Sequence, residues 1–215
     1  MVVVSSTDTQ ARTAVQKAVR AGKVVCLPTD TVYGVGADPF SYDAVTALLA
    51  AKSRTRAMPP PVLVASIEQA ESLAETVPAS ARALMEEFWP GALTIILPAR
   101  ETLGWDLGET FGTVALRMPD DSATRDFLAH IGPLAVTSAN KTGQPPATTI
   151  ADAETQLGES VAVYVDGGTS PGGVPSSIVR WHPATDTYDV VRLGALSIAD
   201  LSRIVRIEES AEDNA

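Results

Sequence analysis

The sequence is poor in cysteine and histidine, with one cysteine and two histidines in 215 residues. The single Cys26 excludes an internal disulfide framework and any multi-cysteine zinc or iron–sulfur site, and two histidines argue against a histidine-rich metal site. Long apolar runs are missing as well, since none approaches the roughly 18 residues that a membrane-spanning helix needs. The first residues lack the basic and apolar regions of a signal peptide. We therefore expect a cytoplasmic protein.

Basic residues are also scarce. Lysine and arginine number 16 against 26 aspartates and glutamates, which gives a formal net charge of −10. That sign excludes a protein that coats nucleic acid with its whole surface, so an anionic ligand must meet a local cluster of cations. The length favours one domain, which we place at residues 1–206, followed by an acidic, disordered tail at residues 207–215.

Apolar runs typical of strands alternate with helical patterns along the chain, which predicts an α/β domain built on one sheet. A capping box at Ser66 and a cap at Ser197 mark two of the helix starts. The predicted helices are 9–21, 43–52, 66–75, 79–88, 122–130 and 197–205. The predicted strands are 23–27, 62–65, 93–97, 113–118, 134–137, 161–165, 177–181 and 188–192, the last two forming a hairpin.

Two segments near the N-terminus could bind a polar ligand. Residues 28–36 (PTDTVYGVG) predict a loop whose hydroxyl groups and bare glycine backbone can approach a small molecule closely, although an ordinary turn explains the same pattern. Residues 52–56 (KSRTR) hold three cations, which fit either a phosphate or carboxylate clamp or a solvated helix end.

Further along, Arg117 interrupts an apolar strand. A buried arginine either pairs with a carboxylate of the protein or is reserved for an anionic ligand, and the sequence leaves both open. Residues 134–137 predict a buried strand that ends in Thr137, Ser138 and Asn140, where α/β sheets bind ligands, or where these groups cap the next turn. The loops at 172–177 and 191–194 again place hydroxyls, glycine or arginine at strand boundaries.

Known catalytic motifs are missing: the chain has neither the glycine-rich P-loop nor the Gly-x-Ser-x-Gly elbow of hydrolases. His130 and His182 are interpreted as surface residues and Cys26 as an inert core residue.

Taken together and in order, these segments resemble the YrdC-type family, the threonylcarbamoyl-AMP synthases of tRNA modification. The matching pieces are 28–34 (PTDTVYG), 52–54 (KSR), 89–94 (WPGALT), 114–119 (VALRMP), 138–140 (SAN), 175–178 (PSSI) and 192–194 (RLG). The resemblance implies a twisted, mixed parallel and antiparallel α/β sheet with flanking helices and a deep concave ligand-binding face. It implies synthesis of threonylcarbamoyl-AMP and pyrophosphate from L-threonine, bicarbonate or CO₂, and ATP.

The resemblance also implies residue roles. Thr31, Arg117 and Ser176 match threonine-binding positions, with Arg117 on the threonine carboxylate. Positions around ATP are matched by Lys52, Arg54, Thr113, Ser138, Asn140 and Arg192, of which Lys52 and Arg54 are the predicted catalytic residues. We expect Mg²⁺ to be carried by ATP with no protein metal site and no organic cofactor. The expected partner is the downstream threonylcarbamoyl transferase complex, with no membrane and with a weak tRNA contact left open.

Two positions depart from the family pattern: Met58 and Leu63 stand where a lysine or asparagine and a histidine are common, so no role is transferred to them. An alternative from another class is an RNA-binding module that uses the basic concave face. The acidic net charge favours the enzyme. A third reading, carbamoyl transfer in hydrogenase maturation, is disfavoured because the cysteine-rich fingers of those proteins are missing.

Overall fold

The computed structural model describes residues 1–208, in which seven helices flank one sheet. The helices are α1 Ala11–Arg20, α2 Tyr42–Ala51, α3 Ile67–Leu73, α4 Ala79–Phe88, α5 Ser122–Ile131, α6 Ile150–Leu157 and α7 Ile198–Ser202. The strands are β1 Val2–Ser5, β2 Val25–Leu27, β3 Gly34–Ala37, β4 Val62–Leu63, β5 Leu93–Pro98, β6 Thr113–Arg117, β7 Leu134–Ser138, β8 Val163–Asp166, β9 Ser177–His182, β10 Thr187–Arg192 and β11 Ile207–Glu208.

The strands form one sheet in the order β1-β8-β2-β3-β7-β4-β6-β5-β9-β10-β11. Parallel pairs such as β4 with β6 and β5 with β9 alternate with antiparallel pairs such as β5 with β6. The predicted hairpin is confirmed, because β9 and β10 pair antiparallel. The sheet is therefore mixed, and the predicted fold class is confirmed.

Helices cover the two faces of the sheet unequally. On one face, α2, α3, α4 and α6 pack against buried side chains of the sheet, among them Ile95, Leu116 and Val179. On the other face, α1 and α5 pack mainly against β2, β7 and β8. On that second face, β5, β6 and β9 have no helix of the described chain over them, and their side chains line an open concavity.

Local signals place most helix starts correctly. Ser41 caps α2 by accepting a hydrogen bond from Ala44 N, and Ser66 accepts one from Gln69 N. Ser197 and Asp200 form a full capping box at α7. Each such cap contributes about 1 kcal/mol.

The structure corrects the expected loop at residues 28–36, because Gly34 begins β3. Gly34 and Gly36 pack against Val136 of β7, where an added Cβ would lie 2.7 and 2.8 Å from its side-chain atoms. These glycines therefore allow two strands to approach, and flexibility is not their role.

Three further elements were not predicted. The α6 helix lies in a segment interpreted as loop and begins with a capping box of Thr149 and Asp152. Strand β1 forms one edge of the sheet and β11 the other. β11 includes residues 207 and 208 of the predicted tail, and residues 209–215 of that tail lie outside the described residues. No helix within residues 1–208 is long and apolar enough to cross a bilayer.

Candidate active site

The concave face holds a cavity of about 670 Å³. Its floor consists of alternate residues of β5, β6 and β9, because side chains at positions i and i+2 share one face of a strand. Seven of the nine predicted site residues line it: Thr31, Arg54, Thr113, Arg117, Ser138, Ser176 and Arg192. The seven come from distant parts of the chain, so the fold alone brings them together.

Arg117 lies at the inner end of this cavity and is almost fully buried. Its Nη2 donates to Asp30 Oδ1 at 2.6 Å, Nη1 to Thr31 Oγ1 at 3.0 Å and Nε to Gly91 O at 2.9 Å. The sequence left open a protein partner or an anionic ligand for this arginine. The structure shows the protein partner, Asp30, while two of the five N–H groups of the guanidinium have no acceptor among the residues that the structure describes.

Burial lowers the pKa of the Arg117 guanidinium, and the charge of Asp30 opposes that shift. The Asp30 carboxylate is held in turn, since Asp120 N donates to the same oxygen at 2.9 Å. This network fixes the guanidinium rigidly and leaves it facing the cavity.

The hydroxyl group of Thr31 presents a lone pair to the cavity. Thr29 Oγ1 donates its proton to Val32 O at 2.6 Å, so in the 3.0 Å contact between the two threonines Thr31 donates and Thr29 accepts. Thr31 Oγ1 also accepts from Arg117. Its remaining lone pair can accept a hydrogen bond from an ammonium or amine group.

A second hydroxyl pair joins Thr94 and Ser176, whose Oγ atoms lie 2.8 Å apart. Arg192 fixes Ser176 in place, because its Nη2 donates to Ser176 O at 2.6 Å and to Ser176 Oγ at 3.1 Å, and its Nε donates to the same carbonyl at 3.1 Å. Within residues 1–208, Arg192 Nη1 has no protein acceptor and is able to bind an anion. The two hydroxyl groups of Thr94 and Ser176 share one hydrogen bond, so together they still offer a ligand one hydroxyl proton and a lone pair.

Arg54 reaches the cavity from the loop after α2. Its Nη1 donates to Thr137 Oγ1 at 2.8 Å, and its Nε donates to Met58 O at 2.6 Å. Burial, followed by repulsion from Arg192, lowers the pKa of Arg54. Arg192 is affected in the same way by burial and then by Arg117.

Lys52 and Asn140 do not line the cavity and lie behind its wall. The solvated helix end that the sequence left open for residues 52–56 does not describe Lys52, because this residue is 2% exposed. Its Nζ donates to Ser138 O and to Asn140 O, the latter at 2.6 Å, with Asn140 Oδ1 at 3.4 Å. Burial and then the charge of Arg54 lower the pKa of Lys52 to about 8.

Four cations lie close enough to repel one another: Lys52, Arg54, Arg117 and Arg192. The carboxylate of Asp30 pairs with Arg117 and offsets part of this positive charge. In a chain with a net charge of −10, such a cluster is stabilised when an anion enters it. A second region of the cavity holds the two hydroxyl pairs and the free N–H groups of Arg117. These groups can bind the ammonium and carboxylate groups of a zwitterion. The cavity can therefore hold a phosphate-bearing ligand next to an amino acid.

Sequence reasoning assigned no individual role to three residues that shape this cavity. Thr29 and Thr94 contribute hydroxyls, and Asp30 orients Arg117. All three were inside recognised motifs, so motif membership was the available signal. Thr137, which was predicted at a strand end that could bind a ligand, lines the cavity as well. Met58 and Leu63, the two positions that depart from the family pattern, both line the cavity.

The residues interpreted as structural lie outside the cavity. Cys26 is fully buried, and burial, with a smaller contribution from Glu154, raises the pKa of its thiol. His182 contacts Asp189 at 2.7 Å, and His130 contacts the Asp126 carbonyl at 2.8 Å. Within residues 1–208 no three His, Cys, Asp or Glu side chains cluster as a metal site. Glu109 is a carboxylate on the cavity wall, together with the hydroxyl groups of Thr110 and Thr113.

Comparison with known proteins identifies relatives of this chain. The model of a family described as "Telomere recombination" and named for Sua5, YciO and YrdC matches residues 17–194. A Mycobacterium leprae protein is 46% identical over 88% of this chain and 86% of its own length. The threonylcarbamoyl-AMP synthase of Bacillus subtilis is 36% identical over 86% of this chain, which spans 54% of that protein.

Comparison with solved structures also finds relatives of this chain. The crystal structure of Pyrococcus abyssi Sua5 complexed with L-threonine superposes with a TM-score of 0.84 at 30% identity. The match covers 97% of this chain and 63% of the Sua5 chain, so this chain spans about three fifths of that protein.

Proposed function

We propose a function for this chain from the premise that it belongs to the Sua5/YciO/YrdC family. The chain is an L-threonylcarbamoyladenylate synthase, which forms threonylcarbamoyl-AMP and pyrophosphate from L-threonine, bicarbonate or CO₂, and ATP. The observation that carries this proposal is the shared cavity, in which the amino-acid-compatible groups around Arg117 adjoin the cations Arg54 and Arg192. The synthase names of relatives and the threonine complex of Sua5 support it.

The reaction has two steps. The amine of threonine and bicarbonate condense to a carbamate with loss of water. A carbamate oxygen then attacks the α-phosphorus of ATP, the bond to the bridging oxygen breaks, and pyrophosphate leaves. This second step makes the enzyme a nucleotidyltransferase.

Nucleotidyl transfer depends on positioning and charge neutralisation, and it needs no covalent nucleophile from the protein. Arg117 binds the threonine carboxylate with its two free N–H groups, and Thr31 accepts from the amine. Arg54 and the free Nη1 of Arg192 neutralise the phosphates, while Thr113 and Ser138 lie along the nucleotide. Lys52 and Asn140 act from behind the wall by holding the Ser138 strand end.

Mg²⁺ fits this arrangement as an ion carried on the ATP phosphates, because it accepts one or two carboxylates plus phosphate oxygens and Glu109 is the carboxylate on the wall. When bound, it supplies further neutralisation of the leaving pyrophosphate. We place the reaction in the cytoplasm, where a separate transferase complex passes the threonylcarbamoyl group to tRNA. The alternative of an RNA-binding module predicts an affinity for RNA that falls steeply with salt.

The proposal predicts that pyrophosphate release requires threonine and bicarbonate together. Purified protein is incubated with ATP and Mg²⁺, with each remaining substrate left out in turn, and threonylcarbamoyl-AMP is detected by mass. We expect product only in the complete mixture. Equal release with ATP alone would contradict the assignment.

Arg54→Ala is expected to raise the KM for ATP by roughly 10- to 150-fold, since a hydrogen bond to a charged group contributes about 1.5–3 kcal/mol. The KM for threonine should change much less. The matched control is Arg12→Ala, which removes an exposed arginine paired with Asp126 on the surface. If both variants keep the wild-type KM for ATP, Arg54 serves only to tie its own loop to Met58 and Thr137.

A further inference from the structure

The two ends of the cavity differ in chemistry and are separated along β6. Arg117 marks the inner, polar end and Thr113 the mouth. Four residue steps at about 3.3 Å each place them about 13 Å apart. A threonylcarbamoyl group held at Arg117 therefore directs the adenosine part of the same molecule toward the mouth.

The floor between these ends is mostly apolar. Ile96 of β5 lies beside Ala115 of β6, and Ile178 of β9 lies diagonally across from Ile96. Arg180 is the β9 residue in register with Ile96 and also lines the cavity, so one charged side chain borders this apolar strip. Val191 of β10 forms part of the same wall. A flat apolar group is the natural occupant of such a strip, and in ATP that group is the purine ring.

Phe111 stands at the mouth beside this strip. It lines the cavity, yet it is 89% exposed, more than any other large hydrophobic residue that the structure describes. Its surroundings within the chain therefore offer this ring almost no burial.

The backbone around Phe111 is strained. Thr113 N donates to Thr110 O at 3.0 Å and closes a turn whose central residues, Phe111 and Gly112, have φ values of +51° and +77°. Positive φ at both central positions is the type I′ pattern, which favours Asn, Asp and Gly. This conformation destabilises a phenylalanine relative to Asn, Asp or Gly, and the local backbone gives no reason for a phenylalanine at position 111.

The loop that carries Phe111 is anchored. Leu107 is buried, Glu109 N donates to Arg56 O at 2.9 Å, and Gly108 lies so close that an added Cβ would be 2.4 Å from the same oxygen. The ring therefore projects from a fixed support over the cavity mouth.

Resting on the function proposed above, we propose that Phe111 is a nucleotide-binding residue whose ring packs on the purine base of ATP and holds it against the strip of Ile96, Ala115 and Ile178. This contact buries the exposed ring when ATP binds, which accounts for an aromatic side chain at a strained and solvated position. The phosphates then extend inward to Arg54 and Arg192.

The test is Phe111→Asn, because this substitution should move stability and substrate binding in opposite directions. Asparagine suits the positive φ, so the melting temperature should stay equal or rise. The KM for ATP should rise about tenfold while the KM for threonine stays within twofold, and Phe111→Tyr should restore the wild-type value. The control is Phe40→Ala, which removes another exposed ring that stacks on Trp105 away from the cavity. A KM for ATP within twofold of wild type in Phe111→Asn would overturn the proposal.

A binding measurement separates this inference from the proposed activity. Phe111→Trp is titrated with AMP and, separately, with pyrophosphate, and its fluorescence is compared with that of wild type. We expect quenching of the added tryptophan by AMP and none by pyrophosphate. Quenching by AMP in a protein that makes no product would support the nucleotide contact and contradict the synthase assignment. Absence of AMP quenching in an active enzyme would contradict the contact and leave the assignment intact.

Discussion

Arg117→Lys is expected to raise the KM for threonine by roughly 10- to 150-fold, with a much smaller change in the KM for ATP. The planar guanidinium of Arg117 contacts Asp30, Thr31 and Gly91 O and still has two N–H groups for a ligand. Lysine keeps the positive charge but loses this planar set of donors. Losing charge-assisted contacts to the carboxylate accounts for about 1.5–3 kcal/mol. Steady-state titrations of each substrate measure the two KM values.

The same substitution should also lower the melting temperature, because Arg117 and Asp30 form a buried pair with side chains 8% and 15% exposed. Arg12→Lys alters an exposed Arg–Asp pair of the same chemistry and should change neither KM nor stability appreciably. An unchanged KM for threonine together with a lowered melting temperature would show that Arg117 is purely structural.

Asp30→Asn tests the carboxylate site at Arg117 independently. The variant leaves the buried guanidinium without its countercharge, so the ligand-free protein should melt at a lower temperature than wild type. The carboxylate of threonine can restore that countercharge. Saturating threonine should therefore raise the melting temperature of Asp30→Asn by more than it raises that of wild type, and an equal or smaller rise would contradict a carboxylate site at Arg117.

Lys52→Met is expected to reduce kcat/KM for ATP by about 100-fold with only a small change in stability. Methionine leaves Ser138 O and Asn140 O without their donor, which costs about 1–3 kcal/mol for each buried group. It also removes a buried charge whose pKa is lowered to about 8, and each unit of that shift corresponds to about 1.4 kcal/mol. The two effects oppose each other in the free energy of unfolding, whereas activity loses both the positioned strand end and a cation.

The lowered pKa of Lys52 gives this variant a pH signature. Above pH 8 the folded protein loses the Lys52 charge while the unfolded chain keeps it, so the free energy of unfolding of wild type rises with pH from about 8 toward the ordinary value of 10.5 relative to Lys52→Met. Over the same range the KM for ATP should rise in wild type, because bound phosphates favour the charged form. Denaturant unfolding and ATP titrations at pH 7.5 and 9.5 measure both. Parallel pH profiles in the two proteins would contradict an electrostatic effect of the Lys52 charge on ATP binding through the cavity wall.

The sequence by itself determined the elements whose signals are local. The α4 helix spans residues 79–88 as predicted, and Ser66 and Ser197 cap their helices as predicted, because helical spacing and a capping hydroxyl act within one turn. The order of motifs along the chain also identified the family and the seven residues that line the cavity.

Only the tertiary structure decided how those residues are used. Arg117 meets Asp30 across 87 positions, Thr94 meets Ser176 across 82, and Lys52 meets Asn140 across 88. Whether a cation faces the cavity or is buried behind its wall depends on the pairing of strands, as does the role of Gly34 and Gly36 in letting β3 approach Val136. The residues next to each of these positions in sequence do not predict these contacts. The burial of a side chain and its hydrogen-bond partner are determined only when distant strands join one sheet.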